Sequence, residues 1–472
     1  MRSTGGWVGV GGYQRSARAF VFGAIVALTA GCSPTAHNPR QVPVCDPLTE
    51  PARLVRYLPP GRDVGAPPAF GLVLEAIDGI PTRIFNLTAW SRDTGRATGT
   101  IGGAKSQLYT RQFALARERW AQYLRAHAKE MVQGDSRWRR YTDVIPPDEL
   151  ATTICAPVAM TQGELDGESR IVVAAGLNFR DHAEDSGGGR PMLFPKPVRP
   201  TGAYRTVRPA RQVRLLDYEV ELGFVVLTDI DLTMIPGEAE LEGSVAYFNA
   251  NDVSDREPII RRQGVFGRST GFVEAKAQPG FLPIGPWMVH GEDVGLLRGD
   301  CARSLGMRLS VREQNRTTLR QASETGLMIH DPRAILEALG ALIDPDEAGG
   351  TRTHMSVMVD GRERYYPMAL IADGRPVLPK GSIVLGGTPG GTAVHAPAVL
   401  PLLGRSMIRF QRPVTRFLDE QIANRDAEGY LNEGDVVVAR IDTLGTQWWR
   451  VQWSDAGSTP PDPCNVRVSE GG

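Results

Sequence analysis

Residues 217–226 read DYEVELGFVV, an apolar run that opens with acidic side chains. Side chains alternate between the two faces of a strand, so Glu219 and Glu221 project from one face while Val220 and Leu222 occupy the other. Two neighbouring carboxylates repel each other unless a cation lies between them, and oxygen ligands suit Mg²⁺, Mn²⁺ or Ca²⁺. The alternative is a half-buried strand whose acidic face contacts water.

A second acidic segment follows the next apolar run. Residues 251–256 read NDVSDR, which places Asp252 and Arg256 just beyond a strand that ends near Asn249. Functional side chains often lie at such strand ends. We therefore expect Asp252 to add a third carboxylate to the pair on the first strand.

Polar residues elsewhere in the chain could complete a catalytic site. In GLNFRDHAED (176–185), His182 precedes Asp185 by three residues, and a histidine held by a carboxylate can take a proton from water. Lys276 could stabilise a developing oxyanion, and Thr388 lies in the glycine-rich GGTPGG (386–391). Taken singly, each also has an ordinary structural interpretation: a packed histidine, a surface lysine or a residue in a plain turn.

In this order, the motifs resemble those of the fumarylacetoacetate hydrolase (FAH) family, over most of residues 171–453. The resemblance implies an α+β fold that is mostly β, a mixed β-roll, assembled as a homodimer. It also implies site roles: metal ligands Glu219, Glu221 and Asp252; catalytic residues His182, Asp185, Arg256 and Lys276; and substrate-binding residues Gly387 and Thr388.

The resemblance further implies that the chain is an enzyme that hydrolyses a carbon–carbon bond in a 1,3-dicarbonyl or acylpyruvate-like 2-oxo acid, with Mg²⁺, Mn²⁺ or Ca²⁺ as the expected cofactor. Decarboxylation, hydration and isomerisation on the same fold stay open, as does a lipid-anchored binding protein without turnover. Three positions depart from the family pattern: Ile259 replaces a glutamine, Pro279 replaces an acid, and Asp185 replaces the commoner glutamate.

A rival motif, GRSTG (267–271), matches the G-x-S-x-G nucleophile elbow of serine hydrolases, with Ser269 as nucleophile. An elbow needs a strand before it and a helix after it. The three prolines of residues 272–287 argue against such a helix.

Composition restricts the class of protein and the kinds of partner that the chain could have. The chain has 472 residues, 53 basic and 53 acidic side chains, and 42% hydrophobic residues, which suits a large core in two folded units. The high content of glycine (53) and proline (35) predicts many turns. Zero formal charge and the lack of a long basic run argue against a nucleic-acid partner.

The N-terminus resembles an export signal. Arg15 and Arg18 precede an apolar stretch over residues 19–30, which is too short to span a bilayer. The small residues before Cys32 resemble a bacterial lipobox, in which the cysteine is acylated and anchors the chain to the periplasmic side of the envelope. The alternative is an ordinary signal peptide with a chance cysteine.

The remaining cysteines are Cys45, Cys155, Cys301 and Cys464. An oxidising compartment allows two disulfides among them, and the sequence leaves all three pairings open. No C-x-x-C spacing occurs, so a zinc site is not expected.

The sequence divides into a signal peptide (1–31), a tether (32–47), a smaller N-terminal α/β region (48–165), the FAH-like domain (166–455) and a tail (456–472). Apolar periodicity predicts an amphipathic helix over residues 104–133, with His127 packed on its apolar side, and a second helix over Pro332–Leu342. Short apolar runs predict strands at 171–175, 220–227, 244–249, 307–311, 382–385 and 436–441.

Overall fold

A computed structural model of the chain describes residues 50–61, 67–94, 117–118, 120, 124–166, 169–180, 191–261, 271–345, 351–359, 362–394, 411–455 and 464. All of them belong to the unit Cys45–Gly472. His182, Asp185, Ser269, Cys32 and the predicted export signal lie outside the described residues.

The strands are β1 Arg53–Tyr57, β2 Ala69–Ile77, β3 Ile80–Asn86, β4 Thr142–Val144, β5 Val172–Gly176, β6 Met192–Pro195, β7 Thr201–Gly202, β8 Leu216–Asp217, β9 Val220–Val226, β10 Ile230–Asp231, β11 Val245–Asn251, β12 Ser254–Asp255, β13 Pro283–Ile284, β14 Met288–His290, β15 Gly306–Glu313, β16 Arg316–Glu324, β17 Asp344–Pro345, β18 Thr351–Arg352, β19 His354–Val359, β20 Arg362–Pro367, β21 Leu370–Ala372, β22 Arg375–Leu378, β23 Ile383–Leu385, β24 Val436–Ile441 and β25 Gly445–Arg450. The helices are α1 Leu87–Asp93, α2 Ala128–Gln133, α3 Ser136–Arg139, α4 Leu150–Thr153, α5 Gln162–Asp166, α6 Glu238–Gly243, α7 Arg256–Arg261, α8 Phe272–Lys276, α9 Gly291–Val294, α10 Pro332–Leu342, α11 Gln411–Ala423 and α12 Arg425–Glu428.

Strand β9 lies inside a mixed sheet that has twelve strands among the described residues. The main path of the sheet is β4-β3-β2-β1-β14-β11-β9-β23-β5-β6, with β13 attached at β11 and β7 attached at β13. Val220 pairs with Asn251 across β9 and β11, so the chain leaves β11 beside the start of β9. Asp252 consequently lies next to Glu219, whose carbonyl accepts a hydrogen bond from Asp252 N at 2.9 Å.

Apolar cores on both faces fix the register of β9. Val220, Leu222 and Phe224 pack into one core, whereas Val225 packs into the other. Burying such a side chain contributes roughly 1.5–3 kcal/mol, and a slip by one residue would exchange the two faces. Packing therefore holds the Glu219–Glu221 face in one orientation.

The sheet-rich α+β fold predicted from the sequence is confirmed. The six predicted strands correspond to β5, β9, β11, β15, β23 and β24, and the predicted helix over Pro332–Leu342 is α10. Proline at its first turn and Asp331, whose Oδ1 accepts from Ala334 N at 2.8 Å, explain where α10 begins. Of the helix predicted over residues 104–133, α2 is the described C-terminal part.

The N-terminal region continues the central sheet. Leu54 of β1 pairs with Met288 of β14 on one side and with Leu72 of β2 on the other. Leu54 and Leu72 are both buried in the second core. The boundary predicted near residue 165 stays a prediction.

One disulfide joins distant parts of the chain. Cys155 is bonded to Cys464, 309 residues later in the sequence. Both cysteines are buried. This bond excludes the pairings of Cys155 with Cys45 or Cys301, and Cys301 is disulfide-bonded as well.

In the described part of the chain, no helix is both long enough and apolar enough to cross a bilayer.

His290 links stability to pH. Its Nδ1 accepts a hydrogen bond from Glu292 N at 3.4 Å, at the start of α9. Burial, and then the charge of Arg117, lower the pKa of His290 from 6.5 to about 4. On acidification, His290 therefore takes up a proton in the unfolded chain at a higher pH than in the folded protein. The unfolding free energy that neutral His290 contributes above pH 6.5 is lost as the pH falls towards 4.

We expect His290→Asn, which keeps a capping acceptor but does not titrate, to remove this dependence. Between pH 7.5 and 4.5, wild-type protein should lose about 2–3 kcal/mol more unfolding free energy than the variant. Urea denaturation across this pH range measures the difference. Parallel profiles for the two proteins would contradict the assignment.

Candidate metal centre

Three carboxylates meet at the junction of β9 and β11. Oxygen atoms of Glu219, Glu221 and Asp252 all lie within 4.8 Å of one another, and all three residues are buried. Strand alternation places the two glutamates on one face, and the β9–β11 register adds Asp252. The structure thus brings together the three predicted ligands.

Arg256 and Lys276 lie against these carboxylates. Arg256 Nη2 contacts Glu219 Oε1, while its Nε donates to Asp217 Oδ2 at 2.7 Å. Lys276 Nζ donates to Glu219 Oε2 at 2.6 Å and to Asp252 Oδ2 at 2.7 Å. Both predicted catalytic cations are therefore part of the site.

A second lysine, which no motif in the sequence indicates, lies on the other side of Asp252. Lys196 Nζ is 2.6 Å from Asp252 Oδ1, and it also donates to the carbonyl of Lys276. Its side chain is completely buried, and burial lowers its pKa. Asp252 thus lies between two lysine side chains, one at each carboxylate oxygen.

The two glutamates differ in electrostatic environment. Burial alone would raise the pKa of Glu219, but the charges of Arg256 and Lys276 outweigh it and hold that pKa below its usual value. For Glu221, burial and the neighbouring Asp252 and Glu219 raise the pKa well above its usual value. Glu219 thus contacts two cationic side chains, whereas the acidic neighbours of Glu221 dominate its surroundings.

This environment fits a divalent cation. Among the described residues, Glu221 contacts no cationic side chain, and its Oε2 accepts a hydrogen bond from Gly387 N at 3.0 Å. Buried charges need such compensation. A cation held by Glu219, Glu221 and Asp252 would supply it, and all-oxygen donors suit Mg²⁺, Mn²⁺ or Ca²⁺.

The glycine-rich turn after β23 contacts the same strand. Gly386 N donates to Leu222 O at 2.9 Å, and Thr388 Oγ1 donates to Val220 O at 3.0 Å. Gly387 has φ +87°, and a Cβ atom there would lie 2.8 Å from Asn178 Cβ, so this position requires glycine. Of the two residues predicted to bind substrate, Gly387 thus contacts the Glu221 carboxylate, and Thr388 contacts the backbone of Val220 between the two glutamates.

The helix after the G-x-S-x-G motif corrects one expectation. The prolines of residues 272–287 argue against a helix after Gly271, but α8 begins at Phe272 and carries Lys276. Proline is absent from its five residues, and the first proline, Pro279, follows after its end. Residues 262–270, which include most of the motif, lie outside the described residues.

One protein-family model matches the part of the chain that contains the acidic cluster. The family model "Fumarylacetoacetate (FAA) hydrolase C-terminal" matches residues 171–452. The chain is 29% identical over 181 residues to 2,4-didehydro-3-deoxy-L-rhamnonate hydrolase from Sphingomonas sp. (strain SKA58), which covers 35% of this chain and 60% of that protein. It is 34% identical over 140 residues to a putative hydrolase from Burkholderia ambifaria (strain MC40-6), which covers 26% of this chain and 42% of that protein. The chain thus spans at most 60% of the length of these relatives.

Two solved structures are also similar. Fumarylacetoacetate hydrolase from Exiguobacterium antarcticum has a TM-score of 0.46 at 18% identity, covering 85% of this chain and 100% of that one. A 2-hydroxyhepta-2,4-diene-1,7-dioate isomerase from Mycobacterium marinum has a TM-score of 0.45 at 18% identity, covering 85% and 99%. The family match spans more than half of the chain, and this chain therefore belongs to the fumarylacetoacetate hydrolase family.

Proposed function

We propose that this protein is a divalent-metal-dependent hydrolase that cleaves a carbon–carbon bond in a 1,3-dicarbonyl or acylpyruvate-like 2-oxo acid. The observation that carries the proposal is the buried cluster of Glu219, Glu221 and Asp252 in contact with Lys276 and Arg256. Family membership supports the reaction class, since members include hydrolases and isomerases.

The described side chains have distinct roles in this proposal. Glu219, Glu221 and Asp252 would hold Mg²⁺ or Mn²⁺, which when bound polarises the oxygens of an oxo acid. Arg256 and Lys276 add fixed positive charge in a site from which water is largely excluded, since both are less than 10% exposed. Positive charge in such a place stabilises negative charge that develops on the substrate.

His182 and Asp185 would supply the proton transfer, a role that rests on the family resemblance. His182, oriented by Asp185, would take a proton from water, and the resulting hydroxide oxygen would bond to a carbonyl carbon. The electron pair of the breaking carbon–carbon bond passes to the departing carbon, which then accepts the proton. The products are a carboxylic acid and a shortened carbonyl compound.

We expect the purified full-length protein to lose activity on acylpyruvates after EDTA treatment and to regain it with Mg²⁺ or Mn²⁺. A panel of 2-oxo and 2,4-dioxo acids, with products identified by mass spectrometry, measures this. His182→Ala should retain metal binding and lose turnover. Turnover that is insensitive to EDTA would contradict the proposal.

The same panel separates the alternative reactions. Ile259 and Pro279 stand where the family resemblance implies polar residues, so we expect substrate contacts that differ from those of hydrolytic members. Loss of CO₂ would identify a decarboxylase, and a product of unchanged mass would identify an isomerase. Metal binding without conversion of any acid in the panel would support a binding protein.

We also propose that the protein is exported to an oxidising compartment. Support comes from the buried Cys155–Cys464 disulfide and the bonded state of Cys301, since such bonds are rare in reducing compartments. Thiol alkylation in growing cells should leave Cys155 and Cys464 unmodified. Their modification in the mature protein would contradict export.

A further inference from the structure

Gln321, a buried residue of β16, contacts the strand from which the two glutamates of the acidic cluster project. Its Oε1 accepts a hydrogen bond from Val220 N at 3.0 Å. Its Nε2 donates to Thr388 Oγ1 and to Pro389 O, each at 2.8 Å. Both amide protons and one acceptor site are thus used, and the residue is only 1% exposed.

The Thr388 hydroxyl belongs to the same hydrogen-bond network as Gln321. It donates its single proton to Val220 O at 3.0 Å while it accepts from Gln321. A hydroxyl has one proton, so this one has none left to donate to a substrate carboxylate. Thr388 is 4% exposed, in keeping with a role inside the protein.

Together these contacts hold the backbone of Val220 from both sides. Its N–H is bound by Gln321 and its carbonyl by Thr388, and Val220 lies between Glu219 and Glu221. Gly387 N, one residue before Thr388, binds the Glu221 carboxylate itself. The turn and β16 therefore fix the segment from which two of the three candidate ligands project.

We propose that Gln321 and Thr388 are positioning residues of the metal centre, which set the place of Glu219 and Glu221 and do not contact the substrate. This inference rests on the proposed function in so far as it takes the acidic cluster to bind a metal. Residues that orient ligands in this way typically change metal affinity by about 10- to 100-fold when they are replaced.

The test is a Mn²⁺ titration of the full-length protein after EDTA treatment and dialysis. Binding is measured by calorimetry and by the electron paramagnetic resonance signal of free Mn²⁺. We expect Thr388→Val and Gln321→Met each to raise the Mn²⁺ Kd by about 10-fold or more. The double variant should be no weaker than the weaker single variant, because both substitutions break one network.

Two control variants separate positioning from general destabilisation. Thr388→Ser keeps the hydroxyl and should bind Mn²⁺ within about twofold of wild type, since hydrogen bonding rather than the methyl group sets the affinity. Thr317→Val removes an exposed hydroxyl from the same strand, β16, and should leave the Kd unchanged. If Gln321→Met does not fold, the comparison of the Mn²⁺ Kd values of Thr388→Val and Thr388→Ser decides whether the hydroxyl positions the metal ligands.

Two outcomes would overturn the inference. If Thr388→Val leaves the Mn²⁺ Kd unchanged and raises only KM for the oxo acid, Thr388 contacts substrate. If Thr388→Val or Gln321→Met lowers the unfolding temperature in EDTA without changing the Kd, the network is structural only. A wild-type protein that does not bind Mn²⁺ would instead refute the proposed function, and this inference with it.

Discussion

Glu219→Gln is expected to lower the unfolding free energy in EDTA by about 3–5 kcal/mol, whereas Glu221→Gln is expected to leave it unchanged or raise it. Glu219 contacts both Arg256 and Lys276, so its neutralisation removes one of the two carboxylate partners of each buried cation. Glu221 lies among carboxylates and has a raised pKa, and glutamine resembles its protonated form in shape. The two substitutions are chemically identical and differ only in environment.

Chemical denaturation in EDTA measures the difference, and a Mn²⁺ titration accompanies it. Both variants should lose most of their Mn²⁺ affinity, because each removes an anionic ligand. Equal destabilisation by the two substitutions would contradict the assignment of Arg256 and Lys276 to Glu219. Full Mn²⁺ affinity in Glu221→Gln would remove that residue from the ligand set.

Loss of the Cys155–Cys464 bond is expected to lower the unfolding free energy by about 5 kcal/mol. The bond closes a loop across 309 positions of sequence, and the unfolded chain gains the corresponding entropy when the loop opens. Because both sulfur atoms are buried, the native state also loses packing. Denaturation of Cys155→Ala against wild type under non-reducing conditions gives the value.

The partner substitution provides the control for this bond. Cys464→Ala and the double variant should be as unstable as Cys155→Ala, since all three lack the same cross-link. A double variant that is much less stable than either single variant would show that the two side chains act through separate contacts.

Local patterns were sufficient to predict the carboxylates of the site. Alternation along β9 placed Glu219 and Glu221 on one face, and the position of Asp252 after an apolar run placed it at a strand end. The strands and the helix α10 were predictable for the same reason: each is encoded by a period of two or 3.6 over adjacent residues.

The residues that support the carboxylates could not be found in this way. Lys196 meets Asp252 only because β6 and the segment after β11 converge in space, and Gln321 lies 101 positions from Val220. Nothing in the neighbouring sequence of either residue encodes these contacts. The pairing of Cys155 was open for the same reason, because only the folded chain brings its Cα within 5.7 Å of that of Cys464.

The place of β1 in the central sheet bears on how the protein can be divided. β1 is hydrogen-bonded to β14 on one side and to β2 on the other. A fragment trimmed to the family-matched residues would lack β1 and leave the backbone of β14 open along one edge. Open edges recruit strands from other molecules, so such a fragment would aggregate, and biochemical work should begin with the N-terminal strands in place.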